Sequence, residues 1–66
     1  MAAQQYRIVV RGRLSERLGS AFRDVTLERH TGRTVLRGNQ QQARLDSVLT
    51  RLNDLGIEPL EVDNHD

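Results

Sequence analysis

Residues 6–12 alternate between two kinds of side chain, and this alternation is the feature that most constrains the fold. The two alternating sets are Tyr6, Ile8 and Val10 on one side, and Arg7, Val9 and Arg11 on the other. An extended chain turns successive side chains to opposite faces, whereas a helix mixes the two sets around its surface. The segment therefore predicts a β-strand with one face on a core and the other face lined mainly by arginines.

Three further strands follow from the same kind of pattern. Residues 24–30 alternate again, and the Thr31–Gly32 pair is a hairpin signal that leads into a return strand over residues 33–38. Residues 59–63 predict a short last strand. Its inward-facing positions are expected to be Leu60 and Val62.

Two helices separate these strands. Ser15 predicts the N-cap of a short helix over residues 16–21. Asn39 predicts the N-cap of a longer helix, with Gln42 in capping-box register, and Gly56 predicts its end. The longer helix carries one apolar stripe at spacings of three and four residues: Leu45, Val48, Leu49, Leu52 and Leu55.

The order strand, helix, strand, strand, helix, strand predicts an α+β domain of the ferredoxin-like βαββαβ type. Right-handed crossovers would place both helices on one face of a four-stranded antiparallel sheet with strand order 4-1-3-2. The sequence shows no linker and no internal repeat. Residues 1–66 are therefore expected to form a single domain, with frayed ends at residues 1–4 and 64–66.

A domain of this size has a small core, and the chain has no cysteine with which to form a disulfide bond. A domain of about 60 residues buries only about 60% of its extended surface, so its stability is marginal. The chain has no cysteine and only two histidines, which excludes disulfides, thiolate metal sites and an all-histidine zinc site. Oligomerisation remains as a means of stabilisation. We therefore expect a homo-oligomer, first of all a dimer, and a stable monomer is the alternative.

The charges are distributed unevenly along the chain. Residues 1–37 hold eight arginines and three acidic residues, a balance of +5, whereas residues 38–66 hold two arginines and six acidic residues, a balance of −4. A dipolar chain can steer a charged partner, including a second copy of itself. No apolar run approaches the ~20 residues of a membrane span, and no signal-peptide core follows Met1. A cytoplasmic location without a membrane partner is the default expectation.

The sheet face turned away from the helices, here called the open face, has three interpretations. It is a solvated face whose charges pair within the chain, a self-association face, or a site for an anionic ligand or nucleic-acid backbone. The self-association face is expected to contain Val9, Val35, Arg7, Arg11, Arg37 and Glu61, with both valines exposed. The anion site is expected to contain Arg7, Arg11, Arg13 and Arg37. The unpaired edge strands offer a second route to assembly.

Residues suited to catalysis or metal binding are few. Ser15 is explained as a helix cap, neither Ser20 nor Ser47 has a histidine beside it, and His30 precedes a turn. The glycines form no phosphate-binding fingerprint. We therefore predict no enzymatic activity, no cofactor and no metal. The alternative to this prediction is a metal site formed by three C-terminal residues, Asp63, His65 and Asp66.

Two protein classes with this topology provide a comparison. Acylphosphatases use an arginine after the first strand and an asparagine on the third strand; Arg13 or Arg23 would supply the arginine, but Asn39 is expected at a helix cap. RNA-binding domains stack bases on aromatic residues of the central strands. The aromatic residues here are Tyr6, expected to face the helices, and Phe22. A nucleic acid is therefore expected to bind, if it binds at all, through the charge of its phosphate backbone and not by stacking of its bases.

Residues 41–57, QQARLDSVLTRLNDLGI, resemble the pattern QAxLxxLLxRLxDLGL found near the end of a widespread set of short bacterial proteins, common in actinobacteria. The matching residues are Gln42, Ala43, Leu45, Leu49, Arg51, Leu52, Asp54, Leu55 and Gly56. The segments TVLRG at residues 34–38 and YRIVVRG at residues 6–12 fit as well. This resemblance implies a fold and a bacterial origin and brings no assigned activity. A looser similarity, to ACT-type ligand-sensing modules that pair into oligomers, rests on the order of strands and helices.

Together these observations favour a non-enzymatic interaction module that self-associates through its sheet face or its edge strands. The alternative is a regulatory module that binds a small anionic ligand or a nucleic-acid backbone through arginines of the open face.

Overall fold

The chain folds into one four-stranded antiparallel sheet with two helices. The structure, a computed structural model, describes residues 4–12 and 14–65. In chain order the elements are β1 (Gln5–Arg11), α1 (Glu16–Gly19), a 3₁₀ turn (Ser20–Phe22), β2 (Thr26–His30), β3 (Arg33–Asn39), α2 (Leu45–Asp54) and β4 (Pro59–His65). The strand order is β2-β3-β1-β4, which is the predicted order read in the opposite direction. The α+β class and the strand order are therefore confirmed.

The core lies against the face of β1 that carries its even-numbered side chains. It is one cluster of buried residues: Tyr6, Ile8, Val10, Leu14, Phe22, Leu36, Ala43, Val48 and Leu52. Both α2 and the 3₁₀ turn contribute fully buried side chains, Val48 and Phe22 among them. The predicted alternation along β1 is confirmed, because none of its odd-numbered residues belongs to this cluster.

The first helix begins as predicted and is shorter than predicted. The Ser15 hydroxyl oxygen accepts a hydrogen bond from the Leu18 N–H at 3.2 Å, which is the contact expected of an N-cap. The helix ends at Gly19, and a 3₁₀ turn continues the chain to the buried Phe22. The cap is therefore confirmed, and Ser15 has a structural role.

The predicted start of α2 at Asn39 is wrong. Asn39 ends β3, and its side-chain oxygen accepts a hydrogen bond from the Gln41 N–H at 2.8 Å, which turns the chain locally. The Gln40 side-chain oxygen accepts from the Leu45 N–H at 3.0 Å and satisfies a donor at the true helix start. Gln42 has no part in a capping box, since its backbone N–H bonds to the Asn39 carbonyl.

The predicted inward direction of Val62 is confirmed, but neither Leu60 nor Val62 is buried. Val62 lies opposite Ile8 in the β1–β4 register and so shares the core side of the sheet, yet 41% of it is exposed. Leu60 lies where the register shifts between Val9 and Val10, and 54% of it is exposed. Because β4 is an edge strand with one neighbour, its side chains have less of the molecule to pack against.

The last strand is also longer than predicted. It continues through Asn64 and His65, which pair with Tyr6 and Gln5 of β1. No helix in residues 4–12 and 14–65 is long and apolar enough to cross a membrane.

Candidate interaction surfaces

The sheet register brings most of the predicted interaction residues together on the open face. Val9 of β1 lies opposite Val35 of β3 and opposite Glu61 of β4. Arg7 lies opposite Arg37 in the next row. Arg11 follows at the end of β1 on the same face. The predicted partner in an anion site, Arg13, lies outside the described residues.

The expectation that the two valines of the open face are exposed is wrong. Val9 and Val35 are 5% and 4% exposed, although neither packs in the core cluster. They occupy the middle of a sheet face whose neighbouring positions carry long charged side chains, and the apolar stems of such side chains cover apolar surface efficiently. The centre of the open face therefore offers little apolar area to a partner.

Ion pairs within the chain neutralise two arginines of the open face. The Arg7 guanidinium lies 2.9 Å from an Asp63 carboxylate oxygen and 3.5 Å from one of Glu61. Arg37 lies 2.6 Å from a Glu28 carboxylate oxygen, and this hydrogen bond holds the pKa of Glu28 below its usual range. The interpretation of the face as internally paired is thus confirmed at Arg7 and Arg37.

At the turn end of the sheet, two arginines have no carboxylate partner among the described residues. Arg11 of β1 lies directly opposite Arg33 of β3, both side chains are exposed, and neither makes an ion pair with any described residue. Sequence reasoning placed Arg11 in a candidate site and missed Arg33. The pairing of these residues depends on the β1–β3 register, which a single strand pattern does not specify.

An open depression lies beside Arg11. It has a volume of about 450 Å³ and is lined by Arg11 with four residues that lead from α2 into β4: Gly56, Ile57, Glu58 and Leu60. Glu58 shares this depression with Arg11 without forming an ion pair to it. The depression thus combines a cation and a carboxylate that form no ion pair with any described residue, together with apolar side chains.

The exposed apolar residues lie at the other candidate surface, here called the apolar edge. In the described part of the chain the exposed large hydrophobic residues are Leu55, Leu60 and Val62, at 41%, 54% and 41% exposure. All three belong to the end of α2 or to β4, which is an unpaired edge of the sheet. Sequence reasoning missed this surface because it assigned all three residues to the core.

Among the described residues, Ser20 and His30 each contact other parts of the chain. The Ser20 hydroxyl donates to the Arg17 carbonyl at 2.8 Å, and His30 lies 3.5 Å from Glu28. No group of three His, Cys, Asp or Glu side chains within residues 4–12 and 14–65 is arranged to hold a metal ion. Of the C-terminal cluster, Asp66 and the side chain of His65 lie outside the description.

Comparison with known proteins identifies a family and no assigned activity. A family model described as a domain of unknown function, DUF8691, matches residues 5–63. No curated protein and no solved structure matches the chain.

Proposed function

We propose that the chain, which belongs to the DUF8691 family of domains of unknown function, is a non-enzymatic interaction module that associates with itself. The observation that carries the proposal is the apolar edge, where Leu60 and Val62 are exposed on the edge strand β4 and Leu55 is exposed at the end of α2. A second copy of the chain is the proposed occupant of this edge, and a dimer is the expected assembly.

The edge supports self-association better than the open face does. Burying half-exposed leucine and valine side chains is favourable at roughly 25 cal/mol per Å² of apolar area. The open face offers no such gain, because Val9 and Val35 are already covered and Arg7 and Arg37 are already paired. A domain of this size also has the most to gain from burial between copies.

The charges of β4 favour one mode of contact over another. If two copies of β4 paired antiparallel about Val62, Glu61 of one copy would lie opposite Asp63 of the other. Like charges directly opposite each other destabilise a strand pair, and one Arg7 per copy is already shared between these two carboxylates. We therefore infer that the copies pack through the apolar side chains of the edge, without extending the sheet.

Light scattering behind a size-exclusion column tests the proposal over a range of protein concentrations. The wild-type chain is expected to elute as a dimer that dissociates on dilution, and Leu60→Asp and Val62→Asp are expected to elute as monomers. Ser47→Asp, on an exposed position of α2, adds the same charge away from the edge and should leave the dimer intact. A wild-type chain that stays monomeric at millimolar concentration would contradict the proposal.

An open-face variant separates the two routes to association. Arg37→Glu removes the ion pair with Glu28 and reverses one charge at the centre of the open face. The edge route predicts that this variant remains a dimer. Dissociation by Arg37→Glu together with retention of the dimer in Val62→Asp would overturn the edge as the contact surface.

We further infer that the domain is a ferredoxin-like βαββαβ sandwich with both helices on one face of the sheet. The element order, the strand order and the shared core of Phe22, Val48 and Leu52 support this arrangement. The first helix would then be reduced to one turn of α-helix followed by the 3₁₀ turn. The resemblance of residues 41–57 to short actinobacterial proteins supports a bacterial origin, and a bacterial cytoplasm is the proposed location.

A further inference from the structure

We propose that Arg11 and Arg33 form a binding site for the phosphoryl group of a small phosphate ester. The site lies at the turn end of the open face, beside the depression that Arg11 shares with Glu58. Neither arginine belongs to the apolar edge, and Leu60 is the residue that the adjoining depression shares with that edge.

The geometry allows both guanidinium groups to reach one anion. Arg11 and Arg33 are direct cross-strand neighbours on β1 and β3, and such neighbours have Cα atoms about 4.5–5.5 Å apart with side chains on the same face. Each guanidinium presents a planar fork of donors that matches the oxygens of phosphate. Two forks side by side can contact the three terminal oxygens of one phosphoryl group.

The charges at this position lack a partner within the described chain. Arg7 and Arg37 each contact a carboxylate, whereas Arg11 and Arg33 face each other. The other cross-strand neighbour of Arg33 is His30, which adds no negative charge. Like charges directly opposite each other cost stability in a sheet, and an oxyanion bound between them removes that cost. The arrangement is therefore more favourable with an anion than without one.

Access to the site is open. The turns at the ends of β1 and β2 are held together by a hydrogen bond from the Gly12 N–H to the Gly32 carbonyl, at 2.8 Å. Arg11 and Arg33 are both exposed, and a methyl group added at either glycine would meet no described atom within 4 Å apart from those of its chain neighbours, so the surface at these turns is open. The adjoining depression provides apolar contact from Ile57 and Leu60 for an organic group that carries the phosphate.

The surroundings favour a small ligand over a nucleic acid. Glu58 lines the depression, and Glu61 and Asp63 follow on β4. A polyanion that extended from the arginines toward β4 would meet these carboxylates. A single phosphoryl group with an uncharged organic body avoids them.

Titration calorimetry with phenyl phosphate as the probe tests the assignment, with inorganic phosphate and duplex DNA as comparison ligands. Arg11→Gln and Arg33→Gln are each expected to weaken phenyl phosphate binding about tenfold or more, as loss of a charge-assisted hydrogen bond does. Glu58→Gln is expected to strengthen binding, because it removes a repelling carboxylate. Arg17→Gln changes an exposed arginine of α1 that makes no ion pair within the described part of the chain; it is the matched control and should bind as the wild type does.

Unfolding temperature provides a second readout that does not depend on the probe. In chloride, Arg33→Gln should unfold at a higher temperature than the wild type, because the opposed charges are gone. Phosphate at matched ionic strength should raise the unfolding temperature of the wild type and Arg17→Gln more than that of Arg33→Gln. Val62→Asp should still bind the probe, which keeps this test separate from self-association.

Three results would overturn the site. One is the absence of phenyl phosphate binding at low ionic strength. Another is an equal loss of affinity in Arg17→Gln, which would indicate a general charge effect. The third is a pair of results obtained together: duplex DNA binds more tightly than phenyl phosphate, and Glu58→Gln does not change the affinity for phenyl phosphate.

Discussion

Thr34 is the one polar residue in the described part of the chain that is buried, and its hydroxyl group holds two backbone groups beyond β1. The hydroxyl donates to the Gly12 carbonyl at 2.9 Å and accepts from the Leu14 N–H at 3.2 Å. These bonds fasten the connection from β1 to α1 onto β3. The contact explains why a threonine occupies a position that is otherwise surrounded by apolar residues.

Thr34→Val is expected to destabilise the domain although it preserves shape and adds apolar surface. The buried Leu14 N–H and the partly buried Gly12 carbonyl lose their partner, which costs roughly 1–3 kcal/mol. Thr34→Ser keeps the hydroxyl and should cost less. Thr50→Val, which removes an exposed hydroxyl that bonds to the Asp46 carbonyl, is the control. Urea unfolding at pH 7 gives the three values; equal costs for Thr34→Val and Thr50→Val would contradict the role assigned to Thr34.

Gly38 is required by a close approach of the Tyr6 ring. Gly38 and Tyr6 are cross-strand partners, and a Cβ atom at position 38 would lie 2.5 Å from the ring carbon that carries the hydroxyl. The ring cannot move away freely, because its hydroxyl donates to the Ala43 carbonyl at 2.5 Å in the core. Burial also raises the pKa of the Tyr6 phenol, so the group stays neutral and remains a donor.

Gly38→Ala is therefore expected to destabilise the domain by roughly 1–3 kcal/mol, the range for overpacking a core. In a Tyr6→Leu background the same substitution should cost much less, since the ring that it would strike is absent. Urea unfolding of the four chains in this double-mutant cycle measures the coupling. A cost of Gly38→Ala that is unchanged by Tyr6→Leu would show that the ring contact is not its cause.

At the scale of elements, Arg51 joins α2 to the segment that follows the 3₁₀ turn. Its guanidinium makes a two-pronged contact with Asp24, at 3.0 and 2.8 Å, and donates to the Ala21 carbonyl at 2.8 Å. It also lies 5.4 Å from the centre of the Phe22 ring, within the range of a cation–π contact. The arginine of the C-terminal sequence pattern thus has a structural role in positioning α2.

The Asp24–Arg51 pair predicts a pH-dependent contribution to stability. The hydrogen bond from Arg51 lowers the pKa of Asp24, so the folded state holds the ionised carboxylate more strongly than the unfolded state does. The stabilisation is fully present above the ordinary aspartate pKa of about 3.9 and is lost as the pH falls through the lowered value. Since both side chains are about one-third exposed, its expected size is only about 0.5–1 kcal/mol.

A double-mutant cycle of Asp24→Asn and Arg51→Gln isolates this contribution from the other contacts of Arg51. The coupling free energy from urea unfolding should be favourable at pH 7 and at pH 5 and should approach zero near pH 2. A coupling that is constant across this pH range would mean that the carboxylate charge is not its source. High salt should reduce the coupling at pH 7.

Local sequence patterns predicted the strands and helices well, and failed where the position of a helix depends on its packing against the rest of the core. The alternation along β1 and the Ser15 cap are set within a few residues, and both are confirmed. Asn39 also has the chemistry of a cap, but the same side chain can form a turn, and Gln40 supplies the oxygen that Leu45 needs. The choice between these two contacts depends on where the core requires α2 to lie.

The candidate surfaces were harder to predict than the elements. Which arginines face carboxylates depends on the registers of β1 with β3 and β4, and these registers joined Arg7 to Asp63 and left Arg11 opposite Arg33. Whether Val62 is covered depends on how far the helical layer extends over an edge strand. A periodic pattern shows which side a residue faces, and it does not show what lies on that side.

At the scale of the whole molecule, the proposed dimer and the small size of the domain make stability dependent on concentration. A single copy leaves Leu55, Leu60 and Val62 about half exposed, so in the proposed dimer part of the apolar surface is buried only on association. When folding and association are coupled, the unfolding temperature rises with protein concentration. An independently stable monomer would show no such rise.

The expected size of this effect follows from the enthalpy of unfolding. At about 0.7 kcal/mol per residue, a dimer of this domain unfolds with an enthalpy of about 90 kcal/mol, so each tenfold increase in concentration should raise the unfolding temperature by about 5 °C. Thermal unfolding is followed by circular dichroism at protein concentrations from about 5 to about 500 μM, a range of about a hundredfold. The slope of the unfolding temperature against the logarithm of concentration gives the effect. Ser47→Asp should keep the wild-type slope, whereas Val62→Asp should unfold at a lower temperature that does not vary with concentration. Because the wild-type slope is measured on the unaltered chain, a flat wild-type curve would contradict coupled association even if Val62→Asp failed to fold.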